Sequence, residues 1–237
     1  MDSFREKLLN RLYFIYIKGH YFFYRNRFSE KIEHIMRFDR RSRGIKPDTC
    51  EEQGMPGFHK TCANGWHRYM LGRYFFSLRS IKNKTVLDSG CGLGWGSYLI
   101  CELPRELISI DINEKALSFA RGTWDDSKLN FRKLSILEID LLRRKFDVIL
   151  SYEIIEHLAW KEGLRYLSQI SGNLVSGGKL IMSSYFPSSA GDAEKEEAKN
   201  PYHLHIYTKR EMREELAKRG FTKVKFLGSL MLSAEKE

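Results

Sequence analysis

The chain has 237 residues, 42% of them hydrophobic, with four tryptophans, which fits one globular domain with a proper core. Cys50, Cys62, Cys91 and Cys101 show neither CxxC spacing nor a zinc pattern, so disulfides and metal–thiolate sites are not expected and a reduced, cytoplasmic setting is. The net charge is +10, and residues 1–46 hold twelve Lys/Arg against five acids, so the basic character belongs to an N-terminal arm and the remainder is nearly balanced.

In chain order, Met1 to Phe4 lead into charges rather than an apolar core segment, so no signal peptide is expected, and no stretch reaches the length of a membrane span. Phe4, Leu8, Leu12 and Ile15 recur at helical spacing until Gly19 interrupts them. Phe28, Ile32, Ile35 and Met36 repeat the pattern for a second helix. Between the two lie Tyr21 to Tyr24 and flanking arginines. Three readings of this arm stay open: helices packed on the domain or a partner, an arm at an anionic inner membrane surface, or a contact with nucleic acid. A linker over 40–47 sets the boundaries at 1–46 and 47–237, and residues 48–65 read as a flap. Trp66 to Phe76 reads as a helix.

Strands are expected near 85–88, 107–111, 129–134, 146–151 and 178–183, alternating with helices. The helix near 161–175 carries Leu164, Leu167, Ile170 and Leu174 and is expected to stop at Gly177 and Gly178. Residues 188–199 read as an exposed polar loop. A helix over 209–219 has a capping box, Thr208 with Glu211, and ends at Gly220. Val224 and Phe226 mark a sixth strand, and the short remainder leaves room for a short seventh or none. The fold expected is α/β: a Rossmann-like, doubly wound, mostly parallel sheet with helices on both faces, plus an N-terminal helical arm.

The segment 86–97, VLDSGCGLGWGS, has an apolar run that ends in an acid and opens into alternating glycines before a helix. Glycines allow close approach and positive φ, and the helix start offers unpaired N–H groups, so this is a nucleotide-type site. Asp88 separates two ligands. A dinucleotide pyrophosphate is repelled by a carboxylate there, whereas a cationic amino acid group is attracted. Asp111, about twenty residues on at the next strand end, suits ribose hydroxyls.

These residues, with ISIDINEKAL (108–117), FDVILSYEIIEHL (146–158), SGGKLIMSS (176–184) and NPYHLHIYTKREM (200–212), resemble class I S-adenosylmethionine-dependent methyltransferases from about Trp66 to Phe226. The lead-in WHRYMLGRYF (66–75) and NPYH look like a branch associated with small molecules and polysaccharides. The resemblance implies S-adenosylmethionine as cofactor. Gly90, Gly92 and Gly94 would form its turn, Asp88 would order the amino acid end, Asp111 would hold the ribose, and Ile112 would pack on the adenine. Gly96 lies past the turn and suits helix packing. Ser135, beside Ile136, stands where many relatives have an acid for the adenine amino group, and is a weaker acceptor. Arg68 could reach the cofactor carboxylate. Ser151 and Tyr152 would border the reacting methyl.

The Asn/Asp-Pro-Pro-aromatic run of many nitrogen methyltransferases and the Pro-Cys of cytosine-C5 enzymes are both missing after the fourth strand. Glu153, Glu156 and His157 fall at i, i+3 and i+4, on one face if the segment is helical, and His203 and His205 come from a distant loop. The array resembles metal-dependent O-methyltransferases, yet the same string occurs in relatives without a metal, so acid–base or structural use is expected and no metal is assigned. His157 and His203 are the catalytic candidates, as bases for a hydroxyl acceptor. The reading is methyl transfer to a small molecule or glycan hydroxyl, with peripheral membrane contact through residues 1–46. The alternatives are an RNA methyltransferase and a nicotinamide oxidoreductase.

Overall fold

The computed structural model describes residues 15, 19, 22–41 and 66–237, with side chains for 15, 19, 22–36 and 69–237. Most of the first expected helix, the flap, Cys50 and Cys62 lie outside these residues, while Gly19, expected as an interruption, is itself helical. Helix α1 spans Ser29–Arg41 and buries Ile35, with Phe28 just before it. Helix α2, Trp66–Ile81, is apolar on most of its surface and lies in the core beneath the sheet. Among the described residues no helix is long and apolar enough to cross a membrane.

Strand β1 (Thr85–Ser89) is buried throughout, as a central parallel strand must be. There follow α3 (Trp95–Ile100), β2 (Glu106–Asp111), α4 (Glu114–Thr123), β3 (Phe131–Lys133) and β4 (Phe146–Tyr152). Then come α5 (Trp160–Asn173), β5 (Leu174–Ser183), α6 (Ala190–Glu197), α7 (Lys209–Lys218), β6 (Phe221–Leu227) and β7 (Met231–Lys236). The sheet order is β3-β2-β1-β4-β5-β7-β6. The first five strands are parallel, and β7 runs antiparallel between β5 and β6. One core layer packs α1, α2, α3 and α4 against the sheet, and the other packs α5 and α7. The expected Rossmann-like α/β fold is the fold observed.

The seventh strand, expected to be short or missing, is present with six residues, because β6 and β7 form a hairpin that needs almost no connecting chain. Three expectations change. Helix α5 stops at Asn173, and β5 begins before the two glycines. The ladder to β4 skips between Phe146 and Val148, and Gly177 at φ +73 absorbs that irregularity inside the strand. Residues 190–197 form α6 rather than a loop, because Ser189 caps it by accepting from Asp192 N at 3.2 Å. Glu153, Glu156 and His157 do not share a helix face. Glu153 has φ +53, and only Ile155–His157 makes a single 3-10 turn.

Candidate active site at the carboxyl edge of the sheet

The connections leave β1 toward β2 on one side and reach β4 on the other. The crevice between the carboxyl ends of β1 and β4 is therefore the switch point where doubly wound folds bind ligands. Here Ser89 sits in register with Ser151.

After β1 the chain turns through Gly90, Gly92 and Gly94, with φ of +73, +53 and +73. Gly90 N and Cys91 N both donate to Ile110 O at 2.9 Å, which anchors the turn to β2. A Cβ on Gly90 would meet Ile154 Cδ1 at 2.2 Å, and one on Gly94 would meet Phe131 at 2.7 Å. A Cβ on Gly92 would meet nothing within 4 Å. Gly90 and Gly94 thus admit protein neighbours, and Gly92 borders open space. At Gly96 the ring of Tyr74 occupies the Cβ position, in line with a packing role.

Two acids flank this turn. Asp88 is 1% exposed; Ser97 Oγ donates to its Oδ2 at 2.6 Å and the Tyr74 hydroxyl at 3.2 Å. Burial pushes its carboxyl up to about 6, against the pull of both donors. Asp111 accepts from Gly92 N through Oδ2 and from Asn113 N through Oδ1, each at 2.8 Å. Burial raises its pKa, and the backbone donors only partly offset that. Ile112, next along, is 69% exposed. Cys91 is no nucleophile, since burial and both acids push its thiol well above the usual range.

The other named residues divide. Ser135 is the N-cap of the turn at Ile136–Leu142, accepting from Leu137 N at 3.2 Å, and Ile136 beside it is half-buried. Ser151 lies near the carboxyl end of β4, in register with Ser89. Its hydroxyl is fully buried and accepts from Tyr166 of α5 at 2.9 Å. Arg68 lies in the first turn of α2, outside the described side chains.

Arg73, one turn after Tyr69 on α2, is a residue whose role sequence reasoning missed. It is buried, forms an ion pair with Glu153 at 2.7 Å and donates to Ser183 Oγ at 3.2 Å. Ser183 Oγ in turn donates to Glu153 Oε1 at 2.6 Å. This triad fixes Glu153 in its left-handed backbone and removes it from the histidines.

Across the crevice, Glu156 lies under the 200–205 segment, whose Leu204 N donates to Glu156 O at 2.8 Å. Burial first, then the charge of Glu153, pushes the Glu156 carboxyl well above its ordinary range. Glu156 Oε2, His203 Nδ1 and His205 Nε2 are buried with no hydrogen-bond partner. Glu156, His157 and His203 each bring one donor atom within 4.8 Å of the others, while Glu153 and His205 stay outside that group. His157 Nδ1 is 3.1 Å from Tyr202 O. A carbonyl only accepts, so Nδ1 is the donor in this bond.

A family model described as "Methyltransferase domain" matches residues 80–220. A probable S-adenosylmethionine-dependent methyltransferase of Mycolicibacterium smegmatis is 27% identical over 172 residues, covering 72% of this chain and 63% of that protein. The ubiquinone biosynthesis O-methyltransferase of Pelagibacter ubique is 36% identical over 144 residues, covering 51% of this chain and 60% of that protein. The matches thus span less than two thirds of these relatives. Among solved structures, the N-methyltransferase NodS from Bradyrhizobium japonicum, in complex with S-adenosyl-l-homocysteine, superposes with a TM-score of 0.59. It is 16% identical over 85% of this chain and 97% of its own, a likeness of fold. With the family match covering more than half its length, the chain belongs to the methyltransferase domain family.

Proposed function

We propose that the chain is an S-adenosylmethionine-dependent methyltransferase acting on a hydroxyl of a small molecule or glycan. The carrying observation is the position of Gly92, whose missing side chain leaves a cradle beside two buried, under-solvated carboxylates. That combination fits a ligand with a cation, a pair of hydroxyls and a flat base. Bound there, S-adenosylmethionine supplies an electrophilic methyl group on a sulfonium, which leaves the protein only alignment and a base to add.

In this reading Asp88 orders the amino acid end, with Arg68 on the carboxylate. Asp111 accepts from the ribose hydroxyls with lone pairs not used by Gly92 and Asn113, and Ile112 and Ile136 offer apolar surface to the adenine. Ser135 keeps a second lone pair to accept from the adenine amino group while its oxygen caps the following turn. Gly90 and Gly94 shape the turn. His157 is the general base, its tautomer set by the Tyr202 carbonyl, and His203 faces it with ring centroids 5.4 Å apart. The Pelagibacter relative supports the hydroxyl acceptor. Phe22 and Phe23, exposed beside Arg25 and Arg27, support peripheral contact with an anionic membrane surface.

Calorimetry with S-adenosylhomocysteine and NAD tests the cofactor. Binding of NAD alone overturns the reading. Mass spectrometry of extracts incubated with labelled cofactor identifies the acceptor, and labelled RNA would replace the small-molecule assignment.

A second reading is favoured by the grouping of Glu156, His157 and His203, which would hold a divalent cation that polarises the acceptor hydroxyl. Activity lost to a chelator and restored by the cation would support it; activity indifferent to both would dismiss it.

A further inference from the structure

We infer that α1 is a positioning element for the cofactor turn, acting through Trp124; the inference rests on the methyltransferase reading. Leu93 lies between Gly92 and Gly94, and its carbonyl accepts from Trp124 Nε1 at 2.7 Å. Both residues are buried, so this bond fixes the orientation of the peptide in the middle of the turn. Tyr98 holds the same turn from the helix side, through its backbone N on Gly94 O at 2.9 Å. Its ring stacks on Trp124 with centroids 5.0 Å apart and an angle of 17°.

Helix α1 grips this aromatic pair. His34 stands edge-on to Tyr98 and Trp124, at 5.5 and 5.7 Å between centroids, and its Nδ1 is 3.2 Å from the Tyr98 hydroxyl. Lys31 Nζ donates to Tyr98 O and to Cys101 Sγ, both at 3.0 Å, and lies over the Tyr98 ring at 4.6 Å. It also forms ion pairs with Glu102 at 3.2 Å and Asp126 at 3.4 Å. The ammonium thereby sits at the carboxyl end of α3, where a cation is favoured. Helix α3 has only six residues and depends on its packing for its position. The path is continuous: Lys31 and His34 hold Tyr98 and Trp124, and these hold Leu93 and Gly94.

The coupling must be reciprocal. If α1 favours the binding-competent turn, cofactor must favour docked α1 by the same factor. Trp124→Phe keeps an aromatic ring in the stack and removes the five-membered ring with its N–H. We expect it and His34→Ala each to raise the dissociation constant of S-adenosylhomocysteine about five- to tenfold, well below their melting temperatures. Lys31→Met should weaken binding, and Lys31→Arg should recover most of it. In the wild type, S-adenosylhomocysteine should slow hydrogen exchange in α1 more than in α7, which lies in the other core layer. Wild-type affinity in Trp124→Phe and His34→Ala, or exchange in α1 slowed no more than in α7, overturns this inference alone. A wild-type protein that does not bind S-adenosylhomocysteine overturns the functional reading and this inference with it.

Discussion

The two sides of the crevice are built differently. On the β1–β2 side the polar groups are provided for: Asp88 has two hydroxyl donors, Asp111 has backbone donors, and the turn is tied to Ile110. On the β4 side a left-handed Glu153 leads into Glu156 and His203, which keep buried atoms without partners. A preorganised half suits a ligand of fixed shape. A half with unmet hydrogen bonds suits a ligand that completes them, and discrimination by such groups is strong because a wrong ligand leaves them unpaired.

The largest expected effect tests the unfinished half. His157→Ala should lower methyl transfer by about 10²–10⁴-fold with cofactor affinity retained, measured by single-turnover transfer from labelled cofactor. A smaller loss would move the base to His203 or to a cation. Next, the prebuilt half is broken by Asp111→Ala or Gly92→Val. Losing hydroxyl contacts to a carboxylate removes roughly 1.5–3 kcal/mol each, so binding of S-adenosylhomocysteine should weaken by at least about a hundredfold by calorimetry while circular dichroism stays native. Valine at Gly92 fills the cradle and strains a backbone at φ +53.

Asp88→Asn sharpens the contrast between binding and stability. The folded carboxyl titrates near 6 against 3.8 in the unfolded chain, so the folded state holds the proton more tightly. Stability from this group is full below about pH 4, falls as pH rises through 6, and stays low above it. The amide removes that penalty, so at pH 8 the apo variant should be more stable than wild type by about 2–3 kcal/mol, and this gain should vanish near pH 4 in urea titrations. Cofactor affinity should fall in the same variant. The smallest effect is expected at Leu204, whose side chain is 55% exposed beside the histidines. Leu204→Ala should change stability by less than about 0.5 kcal/mol, and a shift in acceptor preference without a shift in melting temperature would assign that loop to the acceptor side.

The prebuilt half was legible in the sequence because its requirements are local. A strand, alternating glycines and an acid at each strand end fall within about thirty residues. Thr208 and Glu211 announced α7 in the same way, and both reciprocal bonds of that capping box are present. Legibility failed where long-range pairing decides. Helix periodicity suggested that Glu153, Glu156 and His157 share a face, but Arg73, eighty residues earlier, draws Glu153 away. Ser151 also bonds Tyr166 of α5, a contact that nothing local in the sequence announces. The polar composition of 188–199 hid α6, for which the signal was the Ser189 cap together with i,i+3 pairs such as Lys195 with Asp192.

Tyr74 occupies the space a side chain at residue 96 would need, and its hydroxyl reaches Asp88. Residues 74, 88 and 96 therefore do not vary independently. A methyl group added at 96 displaces the ring, and a displaced ring strips Asp88 of one donor, so a substitution in α3 is felt as a change in the acid's proton affinity. For directed evolution this makes the three positions a single locus. A library that varies 74 and 96 together will reach changes that single substitutions at 96 cannot, such as a smaller residue at 74 together with alanine at 96.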